Sequence, residues 1–376
     1  MILLIGNIFY FMNSFRSSKL FFQKFDWVLL LLVFIVISIG LAAIYSVDIS
    51  KGLTLTFFPT QIIAMTLGIF AMIVAANLHT TIYQKGSTYA VLIAIILLVA
   101  VLFLGVNIRG TTGWFRFAGF SFQPAEIAKL AFILFMANWM DLYHRQFHRW
   151  QFVVSSGIVV MMIIGLILLQ PDLGSAFLIG ATWFGFLLVA NTKNRYILSI
   201  IGAGILAVII GWLFLFKPYQ KDRLMTFVNP ESDPLGAGYN VTQSIIAIGA
   251  GNFKGRGLGF GSQSQLHFLP EAQTDFVFSV IGEELGFIGV FILLSLICLI
   301  LWRLTYIAYQ ADDDFKSYLV IGIALLLFVQ TMVNVGAAIG VLPVTGVPLP
   351  FVSYGGSSLL LNLFMIGIVE AVVLSK

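Results

Sequence analysis

The apolar stretch at residues 27–47, WVLLLLVFIVISIGLAAIYSV, decides the class of this fold. It contains no Asp, Glu, Lys or Arg. A helix of about 20 apolar residues is long enough to cross the roughly 30 Å hydrocarbon core of a bilayer. Similar runs recur along the chain and predict an all-α integral membrane protein with about ten transmembrane helices, at 27–47, 57–77, 87–106, 124–140, 153–169, 173–190, 196–216, 276–302, 317–341 and 351–375.

The composition of the whole chain supports this class. Of its 376 residues, 60% are hydrophobic and only 10% are charged, whereas a soluble domain carries about 25% charged residues. So few charges cannot cover a water-facing surface of this size. The net charge of +4 is spread among the loops, so no nucleic-acid partner is predicted. We therefore expect residues 1–376 to form a single polytopic membrane domain.

The distribution of Lys and Arg predicts the orientation of the chain. An even number of spans places both termini on one side, and the side richer in Lys and Arg is cytoplasmic. This predicts cytoplasmic termini, with a cytoplasmic or interfacial N-terminal segment at 1–25. The large loop at 217–275, between the seventh and eighth spans, is then extracytoplasmic. Long loops of this kind are usually functional. The polar segments Asn107–Gln123, Gln170–Asp172 and Leu342–Tyr354 fall on the same side, which indicates an external active site.

Several polar residues lie inside predicted spans, where each ionisable group is a functional-site hypothesis. Glu126 and Lys129 are three residues apart, so they share one helix face and can pair. Either a structural ion pair or a functional one fits this spacing. Asp172 is predicted to cap the sixth span. Glu370 is predicted to reach toward the cytoplasm, and Asn334 to hydrogen-bond a neighbouring helix.

Asp275 closes the large outer loop at the point where the eighth span begins. Desolvation beside apolar surface favours the protonated form of a carboxylate and so raises its proton affinity. Such a group can act as a general base toward a sugar hydroxyl. From its position alone, Asp275 could equally be the cap of the helix that follows.

Basic residues on the same side suggest an anionic ligand. Arg109 and Arg116 flank Trp114 on one outer segment, and Lys217 and Arg223 lie in the large loop. Arg binds phosphate in a bidentate manner, and Trp is suited to the membrane interface. These residues are candidates for binding an anionic lipid headgroup. A solvated rim of positive charge is the alternative.

Glycine and serine mark two further outer segments. The stretch 249–261 is rich in glycine but has no βαβ unit around it, so a dinucleotide-binding loop is excluded. It either lets the backbone pack tightly or offers N–H groups to a pyrophosphate. Ser353 and Ser357 open the last span, and a helix start of this kind can bind an anion. A capped turn would have the same sequence.

Together these segments resemble the shape, elongation, division and sporulation (SEDS) family of bacterial cell-wall polymerases, from about residue 25 onward. The elongation member RodA is matched better than the division member FtsW, on GSQSQLHFLP at 261–270 and LPVTG at 342–346. One departure is Gln273, where the family usually has His. The other motifs that carry the resemblance are RG and WF at 109–115, QPAEIAK at 123–129, QPDLG at 170–174, GYNVTQS at 238–244, TDF at 274–276, GEELG at 282–286 and PVTGVPLPFVSYGGSS at 343–358.

This resemblance implies a ten-helix fold that polymerises lipid II into glycan strands for wall elongation and cell shape. It implies that Asp275 is the catalytic base of an inverting transfer, and the matched motifs make Gln243, Ser244 and Ser262 candidate substrate ligands. It further implies a place in the bacterial cytoplasmic (inner) membrane. The implied partners are a class B penicillin-binding protein, which is a transpeptidase, and other elongation-complex membrane proteins. No cofactor is required, although Mg²⁺ or Mn²⁺ could assist at the pyrophosphate.

Two other classes of function fit part of the sequence. A lipid II flippase would place its binding groups near the midplane, between internal repeats and broken helices. No clear repeat is present and the polar segments gather on one side, but the intramembrane pair Glu126 and Lys129 keeps this alternative open. A non-catalytic membrane scaffold of the wall-synthesis complex is the second alternative.

Overall fold

The computed structural model places most of the chain. Residues 1–23, nearly all of the predicted N-terminal segment, lie outside the described residues, as does much of the first half of the 217–275 loop. The structure describes residues 24–375 apart from 51, 53, 109–110, 118–119, 144–145, 217–220, 222–224, 228 and 230–235.

The described chain is mainly helical and adds one small sheet. The strands are β1 (Val106–Ile108), β2 (Thr111–Phe117) and β3 (Phe120–Phe122). The helices are α1 (Trp27–Ser50), α2 (Phe57–Asn77), α3 (Thr80–Leu104), α4 (Pro124–Leu142), α5 (Trp150–Leu169), α6 (Leu173–Val189), α7 (Asn194–Ile210, continued by a π-helical turn at Gly211–Leu215), α8 (Ala237–Ala250), α9 (Ser262–Gln265), α10 (Val277–Tyr309), α11 (Asp314–Ala338) and α12 (Gly356–Val373).

The predicted membrane class is confirmed. Within the described residues, eight helices are long and apolar enough to cross a bilayer: α1, α2, α3, α5, α7, α10, α11 and α12. Helix α6 has only 17 residues, and α4 has 19 residues that include Glu126, Lys129 and Asp141. The predicted total of ten spans includes α4 and α6 and stays a prediction. The placement of both termini in the cytoplasm also stays a prediction.

Helix α4 lies at the centre of the bundle. It packs against α3, α5, α6, α11 and α12. From Pro124 to Ala137 every residue except Ile127 is buried. By contrast, α7 has no buried residue. The helix that carries the Glu126–Lys129 pair is thus held in the protein core, where burial of charge requires a partner.

Helices α2 and α12 approach each other closely because small residues lie between them. A Cβ atom at Gly367 would lie 2.3 Å from the carbonyl oxygen of Met72. Membrane helices lack a hydrophobic driving force between them, so close backbone packing of this kind supplies much of their association. We expect any side chain at position 367 to push α2 and α12 apart.

Helix α10 is broken near its start. Gly286 has φ 66° and ψ −164°, a conformation open to glycine and costly for other residues. The backbone groups freed by the break bond to the preceding loop: Phe287 N–H donates to the Asn252 carbonyl at 2.9 Å, and Arg256 N–H donates to the Glu283 carbonyl at 3.0 Å. Irregular backbone at a membrane is tolerated where protein satisfies it in this way.

The loop that makes these hydrogen bonds is the glycine-rich segment at 249–261, and it packs tightly against the start of α10. A Cβ at Gly255 would lie 2.1 Å from the Glu284 carbonyl oxygen. The structure therefore favours tight packing over a pyrophosphate cradle for this segment. The large loop at 217–275 is not irregular throughout, because its described part contains α8 and α9.

The small sheet was not predicted from the sequence. Its strands are antiparallel in the order β1-β2-β3, with Val106 opposite Trp114 and Phe115 opposite Phe122. Two of the strands have three residues each, too short for a period-two pattern to stand out. The sheet leads directly into α4, and β2 packs against α3 and α4.

At the far end of α12, the prediction for Glu370 was wrong. Its side chain is fully buried instead of reaching water. It accepts a hydrogen bond from the backbone N–H of Asp26 at 3.0 Å, and Arg303 Nε lies 2.8 Å from Asp26 Oδ2. A backbone N–H just before α1 thus gives Glu370 a hydrogen-bond donor inside the protein, and the arginine of α10 pairs with the Asp26 side chain beside it.

Candidate active site

A cavity of about 170 Å³ brings together polar residues from distant parts of the chain. Its walls come from the β1–β3 hairpin, the first turns of α4, the turn before α6 with the first turns of that helix, Asp275 and the 345–348 segment. All of these except the α4 and α6 turns were predicted to lie on the outer side. The separate outer segments therefore converge on one cavity, as predicted.

Asp275 lines this cavity and is half-buried. It lies in a turn, and the N-cap residue of α10 is Phe276, one position later. Asn334 Nδ2 donates to the backbone carbonyl of Asp275 at 3.0 Å. A Cβ at Gly346 would lie 3.9 Å from Asp275 Oδ2, so the 345–348 segment passes directly beside the carboxylate. The Asp275 carboxylate therefore lies at a polar cavity.

Glu126 and Lys129 form an ion pair that faces the same cavity. Lys129 Nζ lies 2.7 Å from Glu126 Oε1, and the side chains are only 1% and 6% exposed. The predicted pairing at a spacing of three residues is thus present. Glu126 Oε2 is buried and has no hydrogen-bond partner among the described residues. A buried acceptor of this kind needs a donor, and the cavity is where a ligand or water can supply one.

Asp172 is a third carboxylate at the cavity. Its Oδ1 accepts from Ser175 N–H at 2.9 Å, so the predicted helix cap is confirmed. Its Oδ2 accepts from Gln123 Nε2, also at 2.9 Å. Sequence reasoning assigned only the cap and missed Gln123 as a cavity residue. The QPDLG and QPAEIAK motifs were the available signal, since each places its polar residues at a helix start.

Of the aromatic and basic residues predicted to bind the substrate, only some line the cavity. Trp114 of β2 lines the cavity and is half-buried. Arg116, two residues later, is exposed opposite Ser121 of β3 and does not line the cavity. Arg109, Lys217 and Arg223 lie outside the described residues, so their assignment to a phosphate stays a prediction.

The serine candidates lie away from the cavity and use their hydroxyls inside the protein. Ser244 Oγ donates to the Ala338 carbonyl at 2.6 Å, because α8 packs against α10 and α11 there. Ser262 Oγ contacts Glu283 Oε1 at 3.3 Å. Gln243 is half-buried on α8 and is also absent from the described cavity lining.

The two serines of the last predicted span are similarly engaged. Ser353 Oγ donates to the Thr274 carbonyl at 2.7 Å and accepts from Leu349 N–H at 2.9 Å. Ser357 Oγ donates to the Ser121 carbonyl at 2.9 Å, which joins α12 to the hairpin. Of the two alternatives for this segment, the structure favours a hydrogen-bonded turn over an anion site.

The charge of the cavity sets what it can bind. Its described lining contains three carboxylates, Glu126, Asp172 and Asp275, and one ammonium, Lys129. Since Lys129 neutralises Glu126, the excess charge is negative. A neutral ligand with many hydroxyl and amide donors suits these acceptors, whereas an anion is repelled.

The described residues offer no metal cage. Within the part of the chain that the structure describes, no group of three or more His, Cys, Asp or Glu side chains is arranged to hold a metal ion. The three cavity carboxylates come from separate segments and do not form such a group.

Comparison with known proteins gives consistent matches over almost the whole chain. Residues 24–376 match the family model FTSW_RODA_SPOVE, described as "Cell cycle protein". The "Probable peptidoglycan glycosyltransferase FtsW" of Trichlorobacter lovleyi is 37% identical over 92% of this chain and 92% of its own length. The "Peptidoglycan glycosyltransferase MrdB" of Escherichia coli K12 is also 37% identical, over 95% of this chain and 96% of its own.

A solved structure matches the fold over a similar share of the chain. The structure described as "Structural coordination of polymerization and crosslinking by a peptidoglycan synthase complex" superposes with a TM-score of 0.79 at 30% identity. The match covers 93% of this chain and 98% of that one. The similarity in sequence and in fold therefore extends over the cavity and all the segments that line it.

Proposed function

Because this chain belongs to the FtsW, RodA and SpoVE family of cell cycle proteins, we propose that it is a peptidoglycan glycosyltransferase that polymerises lipid II into glycan strands. The observation that carries the proposal is the placement of Asp275 on the wall of a polar cavity, beside the buried pair Glu126 and Lys129. A carboxylate and a hydrogen-bonding cavity are what a transfer between sugars requires.

Asp275 acts as the general base of an inverting displacement. The 4-hydroxyl of the acceptor N-acetylglucosamine attacks the anomeric carbon of the donor N-acetylmuramic acid and forms the new carbon–oxygen bond. The hydroxyl proton passes to Asp275. The bond between the anomeric carbon and the pyrophosphate oxygen breaks, and undecaprenyl pyrophosphate leaves with the electron pair.

The negative charge of the cavity determines how the substrate lies. The acceptor sugar, which is rich in hydroxyl and amide donors, occupies the cavity and faces the second carboxylate oxygen of Glu126, which has no partner among the described residues. The pyrophosphate stays outside it, where Arg109, Arg116, Lys217 and Arg223 are the candidate partners. A divalent cation, Mg²⁺ or Mn²⁺, would supply charge neutralisation at the pyrophosphate.

The cellular setting follows from the same family. A multi-pass chain with lipid-linked substrate acts in the bacterial cytoplasmic membrane, with Asp275 on the outer side. Its partner is a class B penicillin-binding protein that cross-links the new strand, together with other elongation-complex membrane proteins. We assign the chain to wall elongation and cell shape on the RodA-like motifs. The FtsW and MrdB relatives match at equal identity, which leaves this assignment to experiment.

Purified protein and lipid II test the proposal. The wild type should produce glycan polymer, and Asp275→Asn should lower the rate by about 100- to 10,000-fold, as expected for loss of a general base. Asp313→Asn is the matched control, since Asp313 caps α11 and is exposed. It should keep activity within twofold.

Three results would contradict the assignment. Equal polymer from wild type and Asp275→Asn removes Asp275 from its role. Movement of lipid II between leaflets without polymer favours the flippase. If neither polymer nor lipid movement occurs, with or without a cross-linking partner, the non-catalytic scaffold is favoured.

A further inference from the structure

The backbone that carries Asp275 is held in an unusual way. Residues 271–276 form a turn and not a helix, so the carbonyl groups between Glu271 and Phe276 are not placed by a regular series of helix bonds. Three consecutive carbonyls are nevertheless all bonded. Gln273 accepts from Tyr354 N–H at 2.8 Å, Thr274 accepts from Ser353 Oγ at 2.7 Å, and Asp275 accepts from Asn334 Nδ2 at 3.0 Å.

The donor of the third bond, Asn334, lies in a different element from Ser353 and Tyr354, which supply the other two. Asn334 lies in α11 and is 2% exposed. Its Nδ2 also donates to the Val347 carbonyl at 2.9 Å. A side-chain amide has two N–H groups, and here both are used on carbonyls of residues that line the cavity. One nitrogen atom therefore joins the wall that carries the base to the adjacent wall at 345–348.

We propose that Asn334 is a positioning residue for Asp275, which sets the distance between the carboxylate and the 345–348 wall of the cavity. The proposal rests on the proposed function, because it assumes that Asp275 is the base. Asn334 does not line the cavity and does not touch the reacting atoms. Its effect on the reaction passes through the backbone of Asp275.

The direction of the effect follows from the geometry. A proton transfer requires the base within hydrogen-bond reach of the hydroxyl, and a displacement of about 1 Å can lower a rate by about 100-fold. The sugar itself contacts other walls, those of α4, the hairpin and the turn before α6. Loss of Asn334 should therefore lower kcat and leave KM nearly unchanged.

Asn334→Leu tests this, because leucine has the same branched shape and no N–H group. We expect kcat for polymer synthesis to fall about 10- to 100-fold with KM within twofold of wild type. Asn362→Leu is the matched control. Asn362 is 1% exposed, lies in the transmembrane helix α12 and does not line the cavity. It should keep kcat within threefold.

A second variant keeps the test valid if Asn334→Leu does not fold. Asn334→Gln retains both N–H groups but moves them by one methylene, so it should fold and still show a lower kcat at unchanged KM. The melting temperature of each variant in detergent is measured alongside. A rate loss that matches the loss of folded protein, or that Asn362→Leu reproduces, overturns the positioning role.

Failure of this proposal is distinguishable from failure of the proposed function. If Asp275→Asn is inactive and Asn334→Leu has a wild-type kcat, only the positioning role is lost. If Asp275→Asn remains active, the base itself is misassigned and the premise of the proposal is removed with it.

Discussion

Two buried glutamates, Glu126 in α4 and Glu283 in α10, show opposite uses of the same side chain. Glu283 accepts bonds from Gln263 N–H at 2.8 Å and Ser264 N–H at 3.1 Å, so both oxygens are bonded at the start of α9. Glu126 has one oxygen on Lys129 and a second that lacks a described partner and faces a cavity.

The difference shows when a buried charge in a membrane protein indicates a functional site. Both residues stand inside predicted spans, and sequence position does not separate them. Only the hydrogen-bond partners of each carboxylate in the folded chain separate the two residues. A carboxylate whose oxygens are all bonded stabilises a fold, whereas one with an unused oxygen at a cavity is available to a ligand. The comparison predicts different outcomes when each residue is changed.

Lys129→Met should have the largest effect. It leaves Glu126 as an unpaired buried charge, which costs about 3–5 kcal/mol of stability. Polymer synthesis should be lost as well. The paired variant Glu126→Gln with Lys129→Met should regain most of the melting temperature, because no net charge remains buried, but not the activity. If the paired variant regains both, the pair is structural and the contrast with Glu283 is lost.

Glu283→Gln should have an intermediate effect of another kind. It weakens charge-assisted bonds to the backbone at 263–264 and should cost about 1–3 kcal/mol. Since this residue lies away from the cavity, the polymerisation rate per folded molecule should stay within about threefold. The melting temperature and the rate are measured on the same preparation. A rate loss without a lower melting temperature would bring Glu283 into the functional site.

Ser357→Ala should have the smallest effect. It removes the exposed hydrogen bond to the Ser121 carbonyl and should change stability by less than about 0.5 kcal/mol. If this hydroxyl binds substrate, as the sequence alone allowed, KM for lipid II should rise severalfold. An unchanged KM supports the structural assignment of the serine.

Much of the fold follows from local sequence. The apolar runs locate all the long helices, since a bilayer demands a length that sequence displays directly. Their ends are less well predicted: α3 begins seven residues before the predicted start, and α10 ends seven residues after the predicted end. The pairing of Glu126 with Lys129 and the cap at Asp172 depend on spacings of three residues within one helix. Local geometry is enough to predict such contacts.

The remainder depends on contacts between distant segments. The break at Gly286 is stable because a loop some thirty residues earlier supplies its hydrogen bonds. The sequence of the helix alone does not reveal these bonds. Glu370 was misjudged for the same reason, since its donors come from the opposite end of the chain. The family resemblance selected Asp275, but only the folded chain shows Asn334 beside it.

The break in α10 is also braced by a single loop. The nine residues from Val277 to Leu285 begin two positions after Asp275, and the 252–257 loop bonds to the backbone on both sides of Gly286, at Glu283 and at Phe287. This loop therefore fixes the direction of the short first part of α10 against the long second part. Because the turn that carries Asp275 leads into the short part, we expect changes in the 252–257 loop to reach the base through the first two turns of α10.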